Sequence, residues 1–425
     1  MENKKIKIGL IGLGTVGSGV YKTLQAFDNI EVIKIAVKNK SKKRNIPNLD
    51  ENLITDNPYE VVNNPEIDIV CELIGGMEPA YDLIITAIKN GKHIVTANKE
   101  LLAKRGVEVF NFAEQHNKVV LYEAAIAGGI PIIMPIKTIL AGNKINKIEA
   151  ILNGTTNYIL TKMDVQGASY DDVLQEAQNL GYAETDPTGD VEGFDAAYKI
   201  TTLATLAFKK RIKFENVYRE GITKVRAEDM KAANDLGYKI KLIASAKMNE
   251  QGYADVRVHP MLVSKDSTLA HIDYVTNAVS LTGHPIGHIT LSGPGAGELP
   301  TASSVVGDIL AIAAELGTTD YLLPMMRCYH EDLADCVNIL DTENKYYLSL
   351  NAKNNKGVIG NIGNICAECD ISVESIVQKN VLENNTADIT VITEICREKD
   401  MQNAVRAFKE SSFINNVNSL IRVQV

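Results

Sequence analysis

Two lysines stand where a proton could be moved. Between residues 196 and 208 the only charged side chain is Lys199, and at 100° per residue it shares an arc with Ala196, Ile200, Leu203, Leu206 and Ala207. A helix with that pattern buries the ammonium, and a buried ammonium needs a partner. Asp195, one turn back on the same face, supplies it. Such a pair can simply order a helix, or it can hold a proton donor in place. The preceding segment, Gly181-Tyr182-Ala183-Glu184-Thr185-Asp186-Pro187-Thr188-Gly189-Asp190, is acidic. Its carboxylates can complement a helix dipole. Equally, Glu184, Asp190 and Asp195 together suit a small substrate bearing an ammonium group. Asn153-Gly154-Thr155-Thr156-Asn157 adds amides and hydroxyls after an apolar run, where Thr155 can serve a ligand or cap a helix. The other lysine, Lys99, follows Val95-Thr96-Ala97-Asn98, just past a strand end, the side of a parallel sheet on which ligands bind.

A second chemistry is written near the start of the chain. Gly12-Leu13-Gly14-Thr15-Val16-Gly17 follows an apolar strand and opens a helix. Glycines at that spacing allow a tight turn, close approach of a pyrophosphate and close helix packing, with the helix N-terminus facing the anion. An NAD site places an acid about 20 residues further on, to hold the ribose hydroxyls. Here the chain reads Val37-Lys38-Asn39-Lys40-Ser41-Lys42-Lys43-Arg44, with five of the seven residues from Lys38 basic and none acidic. That loop attracts a 2′-phosphate through charge-assisted hydrogen bonds, which favours NADP.

The elements that must carry these residues follow from periodicity. Strands are expected over 6–11, 31–37, 67–74, 93–97 and 118–122, with helices over 16–26 and 81–90 and from Lys99 through residue 115. Alternating strand and helix means a parallel sheet covered on both faces, a Rossmann-type α/β domain over 1–130. Gly128, Gly129 and Pro131 mark its boundary. Beyond them a strand over 145–152 and helices over 170–180 and 193–208 read as an α+β domain, 131–300. A glycine-rich turn at 292–297 and a helix over 301–316 suggest a return to the first domain, completed by about residues 300–340. Residues 345–425 read as strand (346–351), helix (358–369), strand (371–377), strand (387–395), helix (401–410) and strand (420–425), the ferredoxin-like βαββαβ order.

Composition narrows the possibilities. A length of 425 residues fits two to three domains, and 45% hydrophobic with 23% charged residues is globular. The formal charge of −9 argues against a nucleic-acid partner. Residues 1–50 nevertheless hold ten Lys/Arg against four Asp/Glu, an excess that the basic loop explains. Six irregularly spaced cysteines (Cys71, Cys328, Cys336, Cys366, Cys369, Cys396) fit a reducing cytoplasm rather than a disulfide framework. Cys366 and Cys369 form a CxxC with no second pair, and read as inert thiols. No run of about 18 apolar residues occurs, so no membrane partner is expected. The N-terminal lysines and apolar run imitate a signal peptide, but their glycines have phosphate-loop spacing.

The motifs GLGTVG, VTANKELLA, ILNGTTNYIL, GYAETDPTGDVEGFDAAYK and GPGAGELPTASSVVGDI resemble, in order and along essentially the whole chain, those of homoserine dehydrogenases carrying a C-terminal ACT domain. The resemblance implies NAD(P)-dependent interconversion of L-aspartate 4-semialdehyde and L-homoserine, in threonine, methionine and isoleucine biosynthesis. It implies Lys99 and Lys199 as the catalytic pair, with Glu184, Asp190 and Asp195 binding the substrate or orienting the lysine; Thr155, from its place after a strand, is counted with the substrate-binding residues. For the cofactor, residues Gly12 to Gly17 and Lys38 follow from the loops read above, and the resemblance adds Lys99 and, from an element closing over the nicotinamide, Gly297. It further implies a structural sodium or potassium ion at the loop Glu123-Ala124-Ala125-Ile126-Ala127-Gly128-Gly129-Ile130, with Glu123, Ile126, Gly128 and Ile130 as ligands. A homodimer or homotetramer is implied, with threonine as effector at the ACT domain. There the family's acid-x-x-Gly start is replaced by Asn354-Asn355-Lys356-Gly357. Two other readings compete: another NADP-linked reductase of a small amino-acid semialdehyde, and a non-catalytic sensor that kept the cofactor fold.

Overall fold

The computed structural model describes residues 5–316, 338–381 and 385–423, in two units, Met1–Met326 and Arg327–Val425. Residues 317–337, including Cys328 and Cys336, lie outside the described residues, as do 424–425 of the last expected strand. Part of the segment expected to complete the nucleotide domain falls there too.

The first unit opens with six strands: β1 (Ile6–Ile11), β2 (Ile30–Ala36), β3 (Ile54–Thr55), β4 (Ile69–Glu72), β5 (His93–Thr96) and β6 (Val120–Leu121). They pair in parallel in the order β3-β2-β1-β4-β5-β6, the doubly wound Rossmann arrangement whose ligand crevice opens where the order reverses, between β1 and β4. Ile8, Leu10, Ile69 and Val70 are wholly buried, because both faces are covered and neither has to be polar. On one face the helix Glu298–Glu315 joins Thr15–Leu24: Ala302, Val305, Ile309 and Ile312 share an apolar cluster with Ile8, Val20 and Leu24. Gly19 permits that contact, since a Cβ there would lie 2.6 Å from the carbonyl oxygen of Glu298.

A second sheet follows, of β7 (Lys144–Ile151), β8 (Tyr218–Arg219), β9 (Tyr238–Met248), β10 (Ala254–Ser264), β11 (Thr276–His284) and β12 (Gly287–Pro294), in the order β12-β11-β7-β9-β10-β8. Only β8 and β10 pair in parallel. The helices Gly154–Gln166 and Phe194–Phe208 pack on it through Ile148, Ala150, Leu242 and Ala244 of the sheet and Ile159, Met163, Ile200 and Leu203 of the helices. The helix 154–166 and strands β9 to β12 were not expected from periodicity.

The second unit is built from β13 (Glu343–Lys353), β14 (Val373–Val381), β15 (Thr386–Thr393), β16 (Cys396–Arg397) and β17 (Ile414–Val423), with helices Val358–Glu368 and Glu398–Glu410. The ladder runs β14-β15-β13, and β13 also pairs with β16 and β17. Setting aside the two-residue β16, this is the expected βαββαβ order. The last strand starts six residues earlier than expected, because Asn415, Asn416 and Asn418 sit in it and mask its apolar alternation. Burial raises the Cys366 thiol to about 11 and also raises Cys369 and Cys396, which suits inert thiols.

Candidate active site

The glycine loop leaves β1 with Gly12 at φ +107°, a conformation that L side chains rarely adopt. A Cβ at Gly17 would lie 2.2 Å from the Gly12 carbonyl oxygen, so the helix Thr15–Leu24 can press onto the turn only as glycine. At Gly14, the residue capping that helix, a Cβ would meet nothing within 4 Å. That open backbone faces a cleft of about 1290 Å³ lined by Gly12, Leu13, Gly14, Lys38, Lys40 and Arg44 among others. Thr15, Val16 and Gly17 form the first turn of the helix behind it. Arg44 turns back on its own loop, its guanidinium donating to the carbonyls of Lys42 and Asn39, both 2.8 Å. Lys38, Lys40 and Lys42 line the same cleft. Behind the cleft, Glu72, a residue the sequence did not single out, is wholly buried at the end of β4 and accepts from the N–H groups of two lining residues, Ile74 and Gly75 (3.0 Å each), and from the Thr96 hydroxyl (2.7 Å).

The second centre joins residues almost one hundred positions apart. Lys99 is the first residue of the helix Lys99–Gln115, whose start is capped by Asn98 accepting from Leu101 N–H. Its Nζ stands 2.5 Å from Asp195 Oδ1, and Lys199 Nζ stands 2.7 Å from Oδ2 of the same carboxylate. Lys199 also donates to the Leu152 carbonyl at 2.7 Å. It is 8% exposed, whereas 43% of the Lys99 side chain meets solvent. The two amines are pushed in opposite directions. Burial, reinforced by the nearby Lys99 charge, lowers the pKa of Lys199 although Asp195 resists. For Lys99 the charge of Asp195 outweighs burial and raises it. Burial would also raise the Asp195 carboxyl, but Lys199 and Lys99 overcome that and hold it well below the ordinary carboxylate range. Asp190 goes the other way: burial first, then the charge of Asp195, raise it.

Asn153 ties these carboxylates together, a role that sequence left unassigned. Its Oδ1 accepts from Thr156 N–H and caps the helix 154–166, so its Nδ2 is turned toward Asp190 (2.6 Å) and Asp195 (2.9 Å). Thr155 is directed elsewhere, donating its hydroxyl to the Tyr182 carbonyl at 2.6 Å and so holding the acidic loop. Glu184 is exposed on that loop, and its charge contributes to raising Lys99.

Gly297 and Lys99 are not among the residues lining the dinucleotide cleft. Gly297, at φ +122°, is the turn that starts the helix Glu298–Glu315. At the expected cation loop the Glu123 carboxylate accepts from Ile132 N–H (2.5 Å), Ile133 N–H (2.7 Å) and Met134 N–H (2.7 Å). It serves as a cap for the helix Ile133–Lys137, which takes up three of its carboxylate's acceptor positions. The Gly128 carbonyl accepts from the Ser304 hydroxyl at 2.7 Å. What the loop offers a hard monovalent cation is main-chain carbonyl oxygen. Among the described residues no cluster of three His, Cys, Asp or Glu could hold a metal ion.

Comparison with known proteins identifies the family. A family profile described as "Homoserine dehydrogenase, NAD binding domain" matches residues 12–123, and one described as "Homoserine dehydrogenase" matches 131–310. A homoserine dehydrogenase of Synechocystis sp. is 43% identical over 98% of this chain and 99% of its own. The crystal structure of a homoserine dehydrogenase from Thiobacillus denitrificans superposes with a TM-score of 0.70 at 40% identity, covering 99% of this chain and 98% of that one. A hyperthermophilic archaeal homoserine dehydrogenase in complex with NADPH matches 73% of this chain and 98% of its own, at 28% identity and a TM-score of 0.63. With a dinucleotide loop, a two-lysine centre on one carboxylate, and relatives of this identity along its full length, the chain belongs to the homoserine dehydrogenase family.

Proposed function

We propose that the chain is an NAD(P)-dependent homoserine dehydrogenase, interconverting L-aspartate 4-semialdehyde and L-homoserine, with Lys199 as the group that moves the proton. The observation that carries this reading is Asp195, whose two oxygens hold two amines of opposed proton affinity. Reduced nicotinamide, when bound, supplies the hydride to the aldehyde carbon. The carbonyl oxygen then takes the electron pair of its π bond and becomes an alkoxide. Lys199, whose proton is the more easily released, gives it to that oxygen, while Lys99 stays cationic and stabilises the developing charge. In the oxidative direction neutral Lys199 takes the hydroxyl proton as the hydride leaves carbon. Asp195 remains a carboxylate throughout and fixes both amines. Asp190 and Glu184 receive the ammonium of the amino-acid substrate, and Thr155 holds the loop that carries Glu184.

The basic loop 38–44 supports NADP over NAD. The cofactor contacts proposed are residues Gly12 to Gly17 and Lys38, with Lys99 and Gly297 on the nicotinamide side. The domains proposed are 1–130, completed by about 300–340, for the nucleotide, 131–300 for substrate and dimerisation, and 345–425 as an ACT domain responding to threonine. A homodimer or homotetramer, a cytoplasmic setting, and a place in threonine, methionine and isoleucine biosynthesis go with that reading. So does a sodium or potassium ion held by main-chain oxygens of Glu123, Ile126, Gly128 and Ile130. The test is homoserine-dependent reduction of NADP by the full chain at alkaline pH. Turnover is expected, with NADP preferred; its absence overturns the reading. Threonine added to the same assay tests the ACT proposal, which predicts inhibition and is contradicted by an unchanged rate.

A further inference from the structure

A third lysine, outside the two-lysine centre, is buried beside the helix 154–166. Lys241, on β9, is 2% exposed. The last described β7–β9 pair is Ala150 with Ala244, so Lys241 lies beyond the end of β7, level with the point where the chain leaves that strand for the helix 154–166. Its three N–H donors meet three acceptors: the Ile272 carbonyl (2.6 Å), Asp273 Oδ1 (2.8 Å) and Asn157 Oδ1 (3.3 Å). Asn157 closes the other side of the clasp. Its Nδ2 donates to the carbonyls of Ile272, Tyr274 and Thr276 at 3.1, 2.9 and 3.2 Å.

The clasped segment lies against the first two turns of the helix. Tyr274, a non-glycine residue at φ +56°, donates its N–H to the Thr161 hydroxyl at 3.1 Å, and a Cβ at Gly154 would lie 3.0 Å from the Val275 carbonyl oxygen. That first turn is the one Asn153 caps, and the same Asn153 amide reaches Asp190 and Asp195. An apolar side chain of Lys241's length would avoid the cost of burying an ammonium. It could not hold Ile272, Asp273 and Asn157 in one geometry.

We propose that Lys241, with Asp273, is a positioning residue for substrate recognition. By clasping residues 272–276 to the start of the helix 154–166, it fixes Asn153 and hence Asp190, a carboxylate that receives the substrate's ammonium. The inference rests on the homoserine dehydrogenase reading above. The dinucleotide cleft shares none of these contacts, so the effect is confined to the amino-acid substrate.

The test is steady-state kinetics of Lys241→Met and, because a buried substitution can prevent folding, of Asp273→Ala, whose side chain is one-third exposed. KM for homoserine is expected to rise by about tenfold or more, while KM for NADP stays within about twofold of wild type. A homoserine KM within about twofold of wild type in a folded variant overturns the proposal. An equal rise in both KM values also overturns it, because that marks general loosening. Wild-type protein inert toward homoserine would defeat the reading of the reaction itself, a result distinct from either.

Discussion

Burial penalises every charge in the Lys99, Asp195 and Lys199 triad, and the three groups meet that penalty differently. Asp195 keeps its charge because two ammonium groups face it; Lys99 keeps its own because the carboxylate faces it and solvent reaches it. Lys199, the more enclosed of the two amines, is left with a weakened hold on its proton. Since the charge of Lys99 is one cause of that weakening, Lys99→Met should move the alkaline inflection of the homoserine pH–rate profile to higher pH, besides slowing turnover. An unmoved or lowered inflection contradicts the electrostatic coupling. At this scale sequence reveals only local partners. The Asp195–Lys199 pair was legible because i and i+4 share a helix face. Asn153 with Asp190 and Asp195, Glu72 with Thr96, and Lys241 with Asp273 join residues 24 to 42 positions apart. No periodicity links such residues.

The first turn of the helix Thr15–Leu24 separates room for a ligand from room needed by the fold. Nothing crowds a Cβ at Gly14, so Gly14→Ala should leave thermal stability unchanged and raise KM for NADP by about tenfold or more, because the methyl enters the cleft where backbone and pyrophosphate must touch. An unchanged KM would remove the loop from the cofactor site. The helix Glu298–Glu315 carries a different liability. Asp308, buried beneath Glu123 and accepting its N–H at 2.8 Å, is pushed up to about 7, chiefly by burial. The folded protein therefore holds this proton to higher pH than the unfolded chain does. The stabilisation is complete below about pH 4 and is lost as the pH climbs through about 7. Asp308→Asn should flatten the fall in denaturation midpoint across that range; an unaltered fall contradicts the assignment. Element by element, the parallel sheet was readable because its strands are short apolar runs punctuated by glycine. The helix 154–166 was not, because Thr156, Asn157, Tyr158, Ile159, Leu160 and Thr161 are buried on every side and present no polar face. In β9 Lys239, Lys241 and Lys247 alternate with apolar residues as in a half-covered strand, yet Lys241 and Ile243 on the lysine face are as buried as Leu242 and Ala244 opposite, which the alternation does not reveal.

At the scale of the molecule, the chain is an acidic protein with one basic loop, placed along a cleft at the switch point of a parallel sheet. Among the described residues no helix is long and apolar enough to cross a membrane. A helix packed on the parallel sheet and a helix packed on the second, mixed sheet each bring one amine to a single carboxylate, so the two-lysine centre exists only when both halves of the first unit are folded together. The measurement that bears most directly on this is the pH dependence of homoserine oxidation in wild type and Lys199→Ala. The account predicts a wild-type rate that rises with pH through an inflection below the ordinary lysine value of 10.5. It predicts a variant slower by about a hundredfold or more, with that inflection gone. A variant that turns over as fast as wild type with the same profile would show that the proton moves through some other group.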